Sequence, residues 1–319
     1  MPRTLAANLA LLAFAAGAGA QDFSSRPIRL VVPFPPGGVA DSIARIVSHK
    51  VSTQLPVAVV VDNRAGASGM IGAELVARAR PDGHTLLLAN LPVMTINSLQ
   101  YSNLSYEPAQ FAAIIMLTDQ PYIVAIHPAI PAKTLREFID LARQQPDRFT
   151  YGTSSSSMFL ATELLKKIGD FNLTHVPYKG AGPALNDLLG GHISFLIGAD
   201  ITLAPHVRAG KLRGLAITAS KRSQTVPDIP TAAESGVAGF EITSWQGIVG
   251  PTGMQPSAIE RLNAEFNQAL RSPEVGAQMQ KQGVSIVGGS PAQFSRFVAQ
   301  EARLWGGIAR DAKLAREKL

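Results

Sequence analysis

The residues best able to bind a ligand lie where strands give way to helices. Pro33-Phe34-Pro35-Pro36-Gly37-Gly38-Val39-Ala40-Asp41 stands between the apolar run 28–32 and a segment, 42–47, whose apolar residues recur at helical spacing. The prolines stiffen the strand exit, while Gly37 and Gly38 permit positive φ or close approach of the backbone to a ligand. Free N–H groups at the helix start then form an anion seat. Taken by itself, this loop reads better as an ordinary βα turn. Three more loops repeat the theme with small or hydroxyl residues: 66–69 with Ser68, 152–157 with Thr153, Ser154 and Ser155, and 179–183 with Gly180 and Ala181. Each helix N-terminus favours a carboxylate by roughly 0.3–1 kcal/mol through its unpaired N–H groups and dipole. N-capping explains any one of these loops. Four of them, two per half of the chain, point to a cleft for a small anion, since open α/β sheets bind ligands beyond the carboxyl ends of their strands.

Other chemistry has less support. The six histidines form no H-E-x-x-H motif and no i, i+4 pair, and the chain has no cysteine, so thiolate metal sites and disulfides are excluded. Glycines 66, 69 and 72 lack the order of a dinucleotide loop, and no G-x-x-x-x-G-K-[ST] occurs. Ser154 to Ser157 is not a G-x-S-x-G elbow; serines at a helix start are more often caps than nucleophiles. Among the acids near the loops, Asp41 reads as a helix cap, Asp187 as a surface helix residue, and Asp200, just past a buried strand, as placed to meet a ligand. Tyr178 reads either as a strand-end core residue or as a cleft wall, and Trp245 as core. Asn90 ends the third strand, and with Ser68 it joins the candidate ligand contacts.

The elements that must position these loops alternate. Strands are predicted at 28–32, 57–61 and 85–89, then apolar segments 111–117 and 122–126 separated by Thr118-Asp119-Gln120-Pro121. A second round of strand, loop and helix follows, with strands near 149–151, 173–178, 193–197 and 212–218. A long proline- and glycine-rich connection, 221–239, leads to 242–250, which brings the chain back, and the remainder is mainly helical with a short strand at 284–287. Alternation of this kind implies a doubly wound, largely parallel α/β sheet. The chain crosses between its two halves near Ile123 to His127.

With 319 residues and 46% hydrophobic content, the chain is long enough for one large or two medium cores. Residues 1–20, with Arg3, an apolar segment 5–16 and Gly17-Ala18-Gly19-Ala20, read as a secretory signal cleaved after Ala20. The apolar part is shorter than the about 20 residues needed to span a bilayer, and without cysteine there is no lipid anchor. The formal net charge of +6 falls by one when Arg3 is removed. The basic residues are scattered, which gives nucleic-acid binding little support.

The segments VPFPPGGVADSIAR (32–45), DNRAGASGMIGAELVARARPDGHTLLLAN (62–90), HVPYKGAGPALNDLLGGHISF (175–195), APHVRAGKLRGLAIT (204–218) and VPDIPTAAESGVAGFEITSWQGIVGP (226–251) resemble the substrate-binding proteins of tripartite tricarboxylate transporters, the Bordetella uptake gene (Bug) family, over essentially the whole mature length. The resemblance implies a two-lobed type II periplasmic binding protein fold, each lobe a mixed sheet flanked by helices, with the cleft between them. It implies lobes of residues 21–124 plus 249–319 and of residues 125–248. The implied ligand is a small carboxylate held on backbone amides, hydroxyls and water, with no catalysis, no cofactor and no metal. Carried onto this chain, the contacts are Phe34, Gly38, Val39 and Ala40 from the first loop, Thr153 to Ser155, Gly180 and Ala181 from the second half, and Asp200. The implied partners are integral membrane transporter subunits, or a membrane sensor protein; an exported serine hydrolase is the rival from another class. The expected species is a monomeric periplasmic receptor. One departure stands out: where the family carries S-S-G-x-G-x-x-x-H-L, this chain has Thr153-Ser154-Ser155-Ser156-Ser157-Met158-Phe159-Leu160, with Phe159 at the histidine place. That change is expected to alter the pocket beyond the primary carboxylate.

Overall fold

The computed structural model describes residues 26–314 together with 316 and 318; the predicted signal segment, residues 1–20, lies outside the described residues. β1 (Ile28–Val32) is covered on both faces, as a continuous apolar run in a parallel sheet must be. It leads through the proline-glycine loop into α1 (Val39–Ser52), whose Ile43, Ala44, Val47 and Val51 are buried at helical spacing. β2 (Val59–Asn63), α2 (Met70–Ala77) and β3 (Thr85–Asn90) follow, and the three strands pair in parallel with β1 central. The glycines that failed as a nucleotide loop have a packing role. A Cβ on Gly69 or Gly72 would stand 3.3 or 3.0 Å from Pro33 Cβ, so their absence lets α2 lie against the exit of β1.

After β3 comes a helical stretch that the sequence reading did not anticipate, wound widely over Pro92–Ile96 and continuing as α3 (Asn97–Gln100). Asn90 begins it: its Oδ1 accepts the Val93 N–H at 3.1 Å, and the residue is buried. The two apolar segments expected around Pro121 are one strand, β4 (Phe111–Ile126). The chain continues through α4 (Leu135–Gln144), β5 (Thr150–Thr153), α5 (Ser156–Gly169), β6 (Thr174–Pro177), α6 (Ala181–Leu189), β7 (Phe195–Ala199), α7 (Asp200–Arg208), β8 (Arg213–Ile217), β9 (Thr243–Pro251), α8 (Pro256–Leu270), α9 (Pro273–Lys281), β10 (Ser285–Ile286) and α10 (Pro291–Asp311). Because α6 starts at Ala181, Pro183 is its third residue instead of its first. Its missing N–H still falls among the first-turn groups that have no helical partner.

The sheet is mixed, in the order β2-β1-β3-β9-β4-β7-β5-β6, with β8 and β10 also on β4. β4 changes partners within its length. Phe111–Pro121 pairs with β9, whereas Tyr122–Ile126 pairs with β7 and β8. The proline marks the exchange, because it has no N–H to donate to a ladder. Helices α1, α8 and α9 pack on one another, with α8 against β4, and α10 packs against β4 as well. Trp245 of β9 is wholly buried, edge-on to Phe294 and Phe297 of α10 with ring centroids 5.5 and 5.7 Å apart. Such aromatic pairs contribute about 0.5–1.5 kcal/mol each beyond area burial, and they fasten the returning strand to the C-terminal helix.

Candidate functional site

A cavity of about 180 Å³ opens where three helices of the second half begin. Ser154, Ser155 and Met158 reach it from the start of α5, Ala181, Ala184 and Leu185 from α6, and Ala199, Thr202 and Leu203 from the end of β7 and the start of α7. Tyr122, the residue at which β4 changes partners, completes the wall with Leu196, Ile197 and Gly198. The helix starts differ in their capping. Ser155 caps α5 through its side chain, accepting the Met158 N–H at 3.4 Å. Gly180 and Ala199, at the starts of α6 and α7, have no side chain bonded to the first turn. Their amides are the unpaired first-turn donors of two helices, and the macrodipoles of all three add roughly 1–3 kcal/mol for an anion. No Lys, Arg, His, Asp or Glu lines the cavity. The hydroxyls of Ser154 and Thr202 form no hydrogen bond to the described residues.

Two larger hollows are chemically different. One of about 350 Å³ runs between α5 and α10 beside Lys166 and Lys167, whose charges are already paired with Glu163 and Asp311. Another of about 730 Å³ is a crevice holding Asp119, Asp200, Arg208, Lys221 and Arg222 beside Gln280 to Val287. The C-terminal end of α9 enters it, and carbonyl ends repel an anion.

Among the sequence-predicted residues, Ser154, Ser155 and Ala181 come together on the 180 Å³ cavity. Gly180 adjoins them as the N-cap of α6, with open space where a Cβ would stand. Thr153 does not line it: it is buried at the end of β5, with Oγ1 2.7 Å from His175 Nε2. Tyr178 is held away by its hydroxyl, which donates to Asp187 Oδ2 at 2.6 Å. Burial, then the hydrogen bond and charge of Asp187, push the phenol up to about 12. Asp187 is therefore a tyrosine anchor, not the plain surface residue its helical position implied. Asp200 also lies outside the cavity. Its buried carboxylate accepts Thr225 Oγ1 at 2.5 Å and Ser223 Oγ, joining the start of α7 to the segment after β8. Phe159 packs against His175 with centroids 5.0 Å apart, so the departure at the family's histidine place does not itself line the cavity; its neighbour Met158 does.

Phe34, Gly38, Val39, Ala40, Ser68 and Asn90 do not line that cavity. The proline-glycine loop nevertheless keeps the form of an anion seat. Gly38 is the N-cap of α1 and no side chain bonds to its first turn. Asp41 reaches back from the third helical position to take the Gly37 N–H at 2.9 Å, and its carboxylate also accepts Arg45 Nε at 3.0 Å and Asn63 Nδ2 at 2.9 Å. Burial by itself would raise its pKa, but these bonds and the Arg45 charge outweigh that and hold it below the usual carboxylate range. Ser68 has left-handed backbone, φ 53°, with Oγ 3.3 Å from the Tyr101 hydroxyl. Sequence reasoning missed Tyr122, Met158 and Thr202. The signal for the third helix mouth is the small pair Gly198-Ala199 after a buried strand, beside the more conspicuous carboxylate of Asp200.

A family model described as tripartite tricarboxylate transporter family receptor matches residues 43–314. BugT of Bordetella pertussis is 35% identical over 312 residues, covering 95% of this chain and 94% of the relative. Among solved structures, an R. palustris protein with adipate is 33% identical with a TM-score of 0.76, covering 93% of this chain and 100% of that one. MatC from Rhodopseudomonas palustris with bound malate is 29% identical with a TM-score of 0.71, covering 90% and 99%. The curled mixed sheet, the helix mouths and these similarities agree: the chain belongs to the tripartite tricarboxylate transporter receptor family.

Proposed function

We propose that the protein is an exported receptor that captures a small organic acid and delivers it to a membrane transporter of the tripartite tricarboxylate type. The observation that carries this reading is the convergence of three helix N-termini, two of them without side-chain caps, on one cavity free of charged side chains. Such a site neutralises a carboxylate with amides and hydroxyls and holds no general base against it. The histidine nearest the serine run is engaged by Thr153, and Ser155 serves as a helix cap, which speaks against nucleophilic use of the cluster. The bound adipate and malate of the two structural relatives support the ligand class.

In this reading the two lobes meet where β4 changes partners, between Pro121 and Tyr122, and the β1–α1 loop is the part of the opposite lobe that a ligand held at the cavity would also touch. Closure then follows from a ligand touching both lobes, so affinity and the closed population rise together. Residues 1–20 direct export, in keeping with the periplasmic place of the family's receptors. Calorimetry against a panel of mono- and dicarboxylates tests the reading, combined with mass spectrometry of whatever the purified protein releases on unfolding. Binding of at least one acid is expected; silence across the whole panel, with no acid released, removes it.

A further inference from the structure

Apart from the helix mouths, the wall of the 180 Å³ cavity is hydrocarbon. Ala184 and Leu203 are fully buried, Leu196 and Met158 almost so, and Leu185 half-buried on α6. The polar groups of the wall sit at the starts of α5 and α7, on Ser154, Ser155 and Thr202, and at Tyr122, whose hydroxyl is hydrogen bonded to Ser244. The helix mouths offer one carboxylate its donors, whereas the lining holds no charged or amide side chain for a second carboxylate, and a second carboxylate or a chain hydroxyl against Met158, Leu185 or Leu196 would leave water without a replacement partner.

We infer that this site selects an acid with one charged end and a continuous apolar body over hydroxylated or multiply charged acids of the same length. The inference rests on the carboxylate-receptor reading above and narrows it to a ligand class. Its physical basis is a lining whose polar groups are the helix-mouth amides and a few hydroxyls, the rest being aliphatic side chains with no charge among them. A methylene moved from water into such surroundings tightens binding by about fourfold until the cavity is full.

The test is calorimetry on the mature protein, stripped of co-purified ligand by unfolding and refolding, with acetate, butyrate, hexanoate, succinate, malate and citrate. Affinity should rise from acetate through butyrate, with butyrate bound more tightly than malate or citrate. Tighter binding of malate or citrate than of butyrate overturns the selectivity and leaves the carboxylate reading intact. Failure of every acid removes both. A second variant probes the wall directly. Leu185→Lys introduces an ammonium into the aliphatic part of the wall and should raise the succinate-to-butyrate affinity ratio by about tenfold in protein that remains folded. An unchanged ratio in a folded L185K protein overturns the placement of the ligand body against Leu185.

Discussion

The hydroxyl of Thr218 accepts the backbone N–H of Tyr122 at 3.0 Å, and the Thr218 N–H returns a bond to the Tyr122 carbonyl at 3.0 Å. The same hydroxyl donates to the Ile242 carbonyl at 2.6 Å, and the Ile242 N–H donates to the Thr218 carbonyl at 2.9 Å. One fully buried side chain thus ties the outgoing strand, at the residue after Pro121, to the returning chain just before β9. Tyr122 also walls the cavity, so the point at which the strands change partners and the ligand site share a residue.

Thr218→Val keeps the shape of this side chain and removes its hydrogen bonding. The Tyr122 N–H and Ile242 carbonyl lose a buried partner, so the variant should be less stable by about 1–3 kcal/mol in urea unfolding. Thr218→Ser, which restores the hydroxyl, should recover most of the loss. Equal destabilisation by valine and serine would mean that methyl packing, not the double hydrogen bond, holds the crossing.

Glu301 of α10 accepts the Trp305 indole N–H at 3.0 Å. Burial pushes its carboxyl above the ordinary value of 4.5, and the indole bond offsets this only in part. A raised folded pKa makes the ionised form a cost: the contribution of this group to stability is fully present below pH 4.5 and is lost as pH rises through the folded value. Glu301→Gln keeps an acceptor for Trp305 without the charge. The variant should be more stable than the parent at pH 7.5, with the difference shrinking towards pH 4, as read from paired unfolding curves.

Much of this architecture was legible because burial and periodicity agree. The apolar run of β1 and the helical stripe of α1 sit where their residue types require, and the Ser290-Pro291 start of α10 carries its capping box with Gln293. The helix after Asn90 was hidden because its Asn-Leu-Pro-Val opening resembles a turn, and its cap is a strand-end side chain. Pro121 was read as a break, since nothing local says that a strand passes from one ladder to another at that residue. For the site, the small residues at 154–155 and 181 were visible as types, but convergence on α7 depends on the β7-β5-β6 strand order, a long-range fact. At Asp200 the reverse holds: a carboxylate at a strand end is conspicuous in sequence, whereas its partners Ser223 and Thr225 lie more than twenty residues further on.

Asp200→Ala separates those two views. If the carboxylate serves the fold, its removal leaves the hydroxyls of Ser223 and Thr225 without an acceptor and lowers stability by about 1–3 kcal/mol, while ligand affinity is unchanged. Loss of affinity with an unaltered melting temperature would instead return Asp200 to the ligand. Calorimetry and thermal unfolding on the same preparation distinguish these outcomes.

The β1–α1 loop can be tested at two adjacent glycines that differ in backbone. Gly37 has φ +88° and its N–H is held by Asp41, so a side chain there is strained by roughly 1–2 kcal/mol and Gly37→Val should lower the melting temperature. Gly38 has φ −83° and ψ 174°, extended values open to any residue, and no atom lies within 4 Å of an added Cβ. Gly38→Val should therefore fold with parental stability. Its branched side chain nevertheless stands beside the first-turn amides of α1, where a ligand bridging the lobes would receive its second set of donors. Binding should fall at least tenfold by calorimetry. Parental affinity in folded G38V would confine the ligand to the α5, α6 and α7 mouths and take the proline-glycine loop out of the site.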